Sequence, residues 1–117
     1  MFDPVDFYHL ASKLHTDASD ESTLRSSVSR AYYAAFLWAR EKAGVTSQSG
    51  NIHEKVINHY QLKKKSISNR LADLRQRRNN ADYNLKKRLT NRDSGEALRL
   101  SKKIMEDLGV TTPSSGT

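Results

Sequence analysis

The side chains of this chain that could do chemistry gather in one short stretch, RNNADY, from Arg78 to Tyr83. Arg78 carries a planar guanidinium that can meet an anion, and Asn79 beside it can donate or accept a hydrogen bond. Asp82 stands one helical turn beyond Arg78, and Tyr83 adds a phenol. The chemistry that suits this set is recognition of a phosphate. A phenol with a reference pKa near ~10 is a poor base at neutral pH, although it can donate a hydrogen bond or a proton. An aspartate acts as a base only when its carboxylate is free to take a proton, and a guanidinium partner opposes that.

These residues must be positioned by a helix. Ile67, Leu71, Leu74, Ala81 and Leu85 recur at helical spacing and form one apolar stripe, with Arg78 in its middle. A guanidinium aimed at a core needs a partner, because desolvating a charge costs several kcal/mol, on the order of ~20 in the idealised limit. Two readings follow. Either Arg78 pairs with Asp82 or another carboxylate and fixes the register of the helices, or the stripe opens into a cleft or onto a second subunit where Arg78 meets a phosphate. Tyr83 imposes a further condition: in an unbroken helix it points away from Arg78, so the helix must end or distort for the two to converge.

Charge is concentrated around the same stretch. Between Gln61 and Arg92 eleven basic side chains stand against two acidic ones, Asp73 and Asp82, so this segment carries +9 and the remainder −2. A localised excess of this kind suits nucleic acid, an acidic protein partner or a solvated face. The basic residues nearest the motif are Arg75, Arg77, Lys86, Lys87 and Arg88. At 117 residues the chain has room for one domain, expected over residues 1–109, with a flexible tail over 110–117. It contains no cysteine, which excludes disulfides and thiolate metal sites. No apolar run approaches ~20 residues and the N-terminus lacks a basic-then-apolar pattern, so the expectation is a cytoplasmic protein with no membrane partner.

Taken in order, the periodicity predicts five helices and no strands, an all-α chain. The first runs from about Pro4 to His15, capped by Asp3, with Phe7, Leu10, Ala11 and Leu14 as its apolar seam. The second, from Glu21 to Ala43, is expected to be central. Leu24, Val28, Ala31, Ala35 and Trp38 form one stripe, Tyr33, Phe36 and Leu37 add a second, and Gly44 closes the helix. Tyr32 and Tyr33 are read as core, with stacking on bases as the functional alternative. A loop over Val45–Asn51 leads to a short helix bearing Ile52, Val56, Ile57 and Tyr60, with His53 and His59 on it. Neither histidine has partners at metal-ligand spacing, so no metal site and no cofactor is expected. Lys63, Lys64 and Lys65 mark a break before the arginine-bearing helix. The last helix spans about Asp93 to Leu108 after a cap at Thr90 or Asn91, with Ala97, Leu100, Ile104 and Leu108 inward and Gly109 closing it. The arrangement expected is an up-and-down four-helix bundle with one additional short helix. The second apolar face of the central helix points to a dimer.

Two stretches together resemble a known family. SRAYYAAFLWARE (Ser29 to Glu41), then His53 in a short helix, then LADLRQRRNNADY (Leu71 to Tyr83), is similar to the HEPN domains of prokaryotes, in particular the small stand-alone members that end in alanine, aspartate, tyrosine. The resemblance covers about Thr23 to the end of the last helix. It implies a helical bundle that dimerises so that a motif helix from each subunit faces a shared cleft. Many such domains are metal-independent ribonucleases acting as toxins or defence effectors, often beside a small nucleotidyltransferase. The family motif is an arginine, usually followed by a polar residue, with a histidine four to six residues after the arginine. Arg78 and Asn79 match. The histidine does not: Tyr83 stands in its place, and no histidine follows.

Cleavage of RNA by its own 2′-hydroxyl needs a group to take a proton, a group to give one to the leaving oxygen, and positive charge at the phosphate. Arg78 suits the last role. Two functions therefore stay open. One is a ribonuclease with Arg78, Asn79, Asp82 and Tyr83 lining a dimeric cleft and His53 as helper. The other is a non-catalytic module that binds RNA, a nucleotide or a nucleotidyltransferase through the same basic cleft. A purely structural or adaptor protein is a third reading, and the missing histidine favours binding or weak catalysis.

Overall fold

Asp20 starts the central helix by accepting the Thr23 N–H at 2.9 Å, which satisfies one of the orphan donors of the first turn. Gly44 ends it in the left-handed conformation at φ 70°, where a side chain would be strained. The helix between them spans Glu21–Ala43, with the bounds expected from sequence. The computed structural model describes residues 1–46 and 50–111, and in chain order it contains α1 (Val5–Asp17), α2 (Glu21–Ala43), α3 (Ile52–Lys63), α4 (Lys65–Tyr83) and α5 (Asn91–Asp107). Among the described residues there is no strand. The loop expected over Val45–Asn51 lies partly outside the described residues, as does most of the expected tail.

Helix α2 packs against each of the other four; α1 and α5 also touch each other, α5 touches α4, and α3 lies mainly on α4. Small residues permit this crowding. Ala31, Ala34, Ala35 and Ala39 have no exposed surface, and the Ser27 hydroxyl reaches the Ala11 carbonyl at 2.7 Å, so neighbouring backbones approach closely. Tyr32, Phe36, Leu71, Leu74, Ile104 and Met105 fill the space between. Lys64, extended at φ −155°, is the single residue separating α3 from α4, as the lysine run suggested. At α5, the Asp93 carboxylate accepts both the N–H (2.8 Å) and the hydroxyl (3.2 Å) of Thr90, and Gly109 follows at φ 80°.

Two expectations about apolar faces are corrected. On α1 the buried side chains are Val5, Tyr8 and Ala11, while Leu10 is exposed, because the close approach at Ala11 turns Leu10 outward by one residue's rotation. On α4 the stripe stops at Ala81. Leu85 lies beyond the helix end and is 89 % exposed, since Asn84 is already extended. No helix among the described residues is long and apolar enough to cross a membrane.

Candidate functional site

Helices α2 and α4 face each other through polar stripes embedded in apolar ones. On α2, Arg25, Ser29 and Tyr33 recur every four residues and share a face. On α4, Arg75, Arg78 and Asp82, spaced three and then four residues apart, also share a face. The stripes run antiparallel: Arg25 meets the carbonyls of Asn80, Ala81 and Asn84, Ser29 meets Asp82, and Tyr33 meets Arg78.

Arg78 is the centre of this contact, with only 14 % of its side chain exposed. Its guanidinium lies between two phenol rings, 5.2 Å from the centroid of Tyr33 and 5.3 Å from that of Tyr83. Nη2 donates to the Tyr33 hydroxyl at 2.8 Å and more weakly to that of Tyr83 at 3.4 Å, and Nη1 donates to Asn79 Oδ1 at 3.1 Å. Nε stands 2.9 Å from Asp82 Oδ2, an ion pair in which the N–H is not aimed at the oxygen and so forms no proper hydrogen bond. The same oxygen accepts from Ser29 Oγ at 3.2 Å. Arg78, Asn79, Asp82 and Tyr83 are thus brought into one cluster. Tyr83 joins it although α4 runs unbroken from Arg78 to Tyr83, against the expected break or distortion, because the long arginine side chain spans the distance to the phenol.

His53 lies next to this cluster. Its ring stacks on Phe36 at 4.3 Å and on Tyr32 at 5.6 Å, and it meets Tyr33, which also carries Arg78, edge-on at 6.3 Å. Nδ1 is 2.5 Å from the Tyr32 hydroxyl. Burial pushes the Tyr32 phenol well above its ordinary pKa, so its proton stays on and needs an acceptor. Burial, aided by Arg75 and Arg78, holds the imidazole below its ordinary value, so it is neutral at pH 7. The assignment satisfying both groups has Tyr32 O–H donating to Nδ1, which puts the imidazole proton on Nε2. In that tautomer His53 offers a hydrogen-bond donor rather than a base. Arg75 is held nearby by Glu54 at 3.4 Å, with a buried Nε that has no hydrogen-bond acceptor.

The last turn of α4 contains no basic residue to meet its free carbonyls. Helix α2 supplies one. Arg25 donates from Nη1 to the carbonyls of Asn80 (3.1 Å), Ala81 (3.0 Å) and Asn84 (3.1 Å), and from Nη2 to that of Lys87. Glu21 fixes Arg25 through its Nε at 2.9 Å and accepts the Leu89 N–H at 3.2 Å, so one ion pair clasps both the helix end and the segment after it.

The remaining cations are not brought together into one patch. Arg77 turns toward α5, bonded to Asp73 at 3.0 Å, and lines a hollow of about 220 Å³ with Lys87 and Asp93. Arg75 stands on the α3 side. Lys86, Lys87 and Arg88 are exposed just past the end of α4; among the described residues their side chains form no hydrogen bond or close ion pair, and the Arg88 charge helps hold the Glu21 carboxyl below its ordinary value. Lys63, Lys64 and Lys65 are exposed at its other end, about 28 Å away along the 19-residue helix. Among the described residues no three His, Cys, Asp or Glu side chains gather as a metal site would require.

Sequence reading missed Arg25, Ser29 and Tyr33 as members of the site. The signal was present: Arg25, Ser29 and Tyr33 carry polar groups at a spacing of four along one face of the helix. No family model matches the chain, and no curated protein or solved structure matches it.

Proposed function

We propose that this chain is a HEPN-type RNA-binding module, an up-and-down four-helix bundle of α1, α2, α4 and α5 with α3 as the additional helix, working as a homodimer. The observation that carries the reading is the run of exposed cations Lys86, Lys87 and Arg88 beside the Arg78 cluster, on a segment clasped in place by Arg25. Exposed cations can replace the counterions of a phosphate backbone. Binding is favoured over cleavage because the proton-handling groups are engaged: Asp82 by Arg78 and Ser29, and His53 Nδ1 by Tyr32. Ribonuclease activity is the second reading, favoured by the closeness of His53 to Tyr33 and hence to Arg78. A nucleotidyltransferase partner and a toxin or defence role belong to the family resemblance alone.

The test is binding of single-stranded RNA across a salt series, with wild type and a Lys86→Gln/Lys87→Gln/Arg88→Gln variant. Each phosphate contact contributes about 0.7 to the slope of log K against log salt for single strands, so the variant is expected to lose about 2 from that slope. Salt-independent binding, or equal binding by both proteins, removes the reading. Incubation in EDTA decides between the two forms: products that disappear in both Arg78→Lys and His53→Gln make the protein a ribonuclease. Sedimentation at twice 13.3 kDa is expected for the dimer, and a monomer at all concentrations rejects that part.

A further inference from the structure

Tyrosine rings are the side chains best suited to stack on nucleobases, and most of those in this chain are already covered. Tyr8, Tyr32 and Tyr60 are buried in the core, and Tyr33 lies under Arg78 and against Phe36 and His53. Tyr83 is different, with 68 % of the residue exposed at the last position of α4. The other exposed aromatic among the described residues, Phe2, packs on Phe7 at 4.8 Å, away from the basic segment.

The ring of Tyr83 is also held. Its hydroxyl and ring lean on the Arg78 guanidinium, which is fixed in turn by Tyr33 and Asp82, while Arg25 binds the carbonyls around the helix end. A ring pinned on one side and open elsewhere loses little side-chain freedom when a ligand stacks on it. Lys86 follows three residues later, at most about 11 Å away along the chain, with Lys87 and Arg88 next. An exposed aromatic ring beside exposed cations is the combination by which proteins hold single strands, the ring taking a base and the cations its flanking phosphates. In a duplex the bases are stacked on each other and the ring has nothing to receive.

We propose that Tyr83 is a stacking platform for an unpaired nucleobase, so that the preferred ligand is single-stranded or looped RNA with its phosphates on Lys86, Lys87 and Arg88. This inference rests on the RNA-binding reading above and narrows its substrate class. It gives Tyr83 a binding role carried by its ring rather than by its phenolic proton.

The experiment measures fluorescence anisotropy with three labelled probes of equal charge: oligouridylate, an abasic ribose-phosphate strand of the same length, and a short RNA duplex. Wild type is expected to bind oligouridylate about five- to one-hundred-fold more tightly than the abasic strand, the effect of one stacked base. Tyr83→Ala abolishes that preference and Tyr83→Phe keeps it, because the ring and not the hydroxyl carries it. Circular dichroism melting of both variants checks that the fold is intact. If wild type binds the abasic strand or the duplex as tightly as oligouridylate, or if Tyr83→Ala retains the preference, the stacking role is wrong while RNA binding stands. Should no probe bind in a salt-dependent way, the RNA reading fails and the stacking role with it.

Discussion

At the scale of the residue, Arg78 meets both conditions that a partly buried guanidinium must meet. It has a carboxylate at 2.9 Å and acceptors for most of its N–H groups, and two aromatic rings cover its faces. Replacing it by leucine leaves Asp82 without its cation and the Tyr33 hydroxyl without its donor. The expected loss is about 1–3 kcal/mol in denaturant unfolding, and part of it should return in Arg78→Leu/Asp82→Leu, where neither partner is stranded. His53 predicts a pH dependence. Its pKa in the folded protein lies below the ordinary value, so the unfolded chain takes up the proton first as pH falls through about 6.5. Stability is therefore lost on the acid side of that value. Asp20, Glu21 and Glu96, whose carboxyls are held low by hydrogen bonds, lose their contributions only near the carboxylate range, around pH 4. Melting temperatures at pH 8 and pH 5.5 should thus differ more for wild type than for His53→Gln, and equal differences would contradict the neutral-imidazole assignment.

At the scale of the element, α4 is a helix whose charges oppose its own dipole, with lysines at its N-terminus and no base in its last turn. Its C-terminal end is stabilised from outside by Arg25. Replacing Arg25 with alanine removes the side-chain donor from the carbonyls of Ala81, Asn84 and Lys87, while Asn80 keeps the Asn84 N–H, and the expected destabilisation is about 1–3 kcal/mol. Arg25→Lys should recover little of it, because an ammonium lacks the planar fork that serves several carbonyls at once. Hydrogen exchange should quicken over residues 80–89 in both variants and leave α1 unchanged. Uniform quickening across the molecule would mean that Arg25 is a general core contact rather than a clasp for this end. The packing of α2 makes a similar point: Ala35→Leu inserts three carbons where no surface is free, and a loss of about 1–3 kcal/mol is expected.

At the scale of the whole molecule, a sequence segment of +9 resolves into two exposed triplets separated by the length of α4, with arginines between them turned to different neighbours. Under the proposed RNA-binding reading, a strand of roughly six nucleotides stacked on Tyr83 would place its phosphates near Lys86, Lys87 and Arg88. Changing Lys63, Lys64 and Lys65 to glutamine should therefore weaken it much less than changing the other triplet, beyond the general fall in long-range attraction that salt screens. Equal effects would mean that net charge, rather than placed charge, governs association.

Helix content was legible in the sequence because it depends on local pattern. The repeat of apolar residues, Gly44 after Ala43 and the lysine break each act within a few residues of themselves, and each was read from them. The motif Arg78 to Tyr83 stood out for the same reason, and the pairing of Arg78 with Asp82 one turn away, one of the two readings left open, is the arrangement the structure has. What only the tertiary structure decided is which distant groups meet that motif. Tyr33 and Ser29 arrive from α2, 45 and 53 residues away from Arg78 and Asp82, and Arg25 reaches 55 residues to Asn80. A spacing of four on α2 names a face, but only the antiparallel packing of α2 on α4 sets that face against the arginine. The ending of α4 at Tyr83, which leaves that ring in the open and sends Leu85 outward, likewise follows from where the chain is clasped rather than from its apolar period.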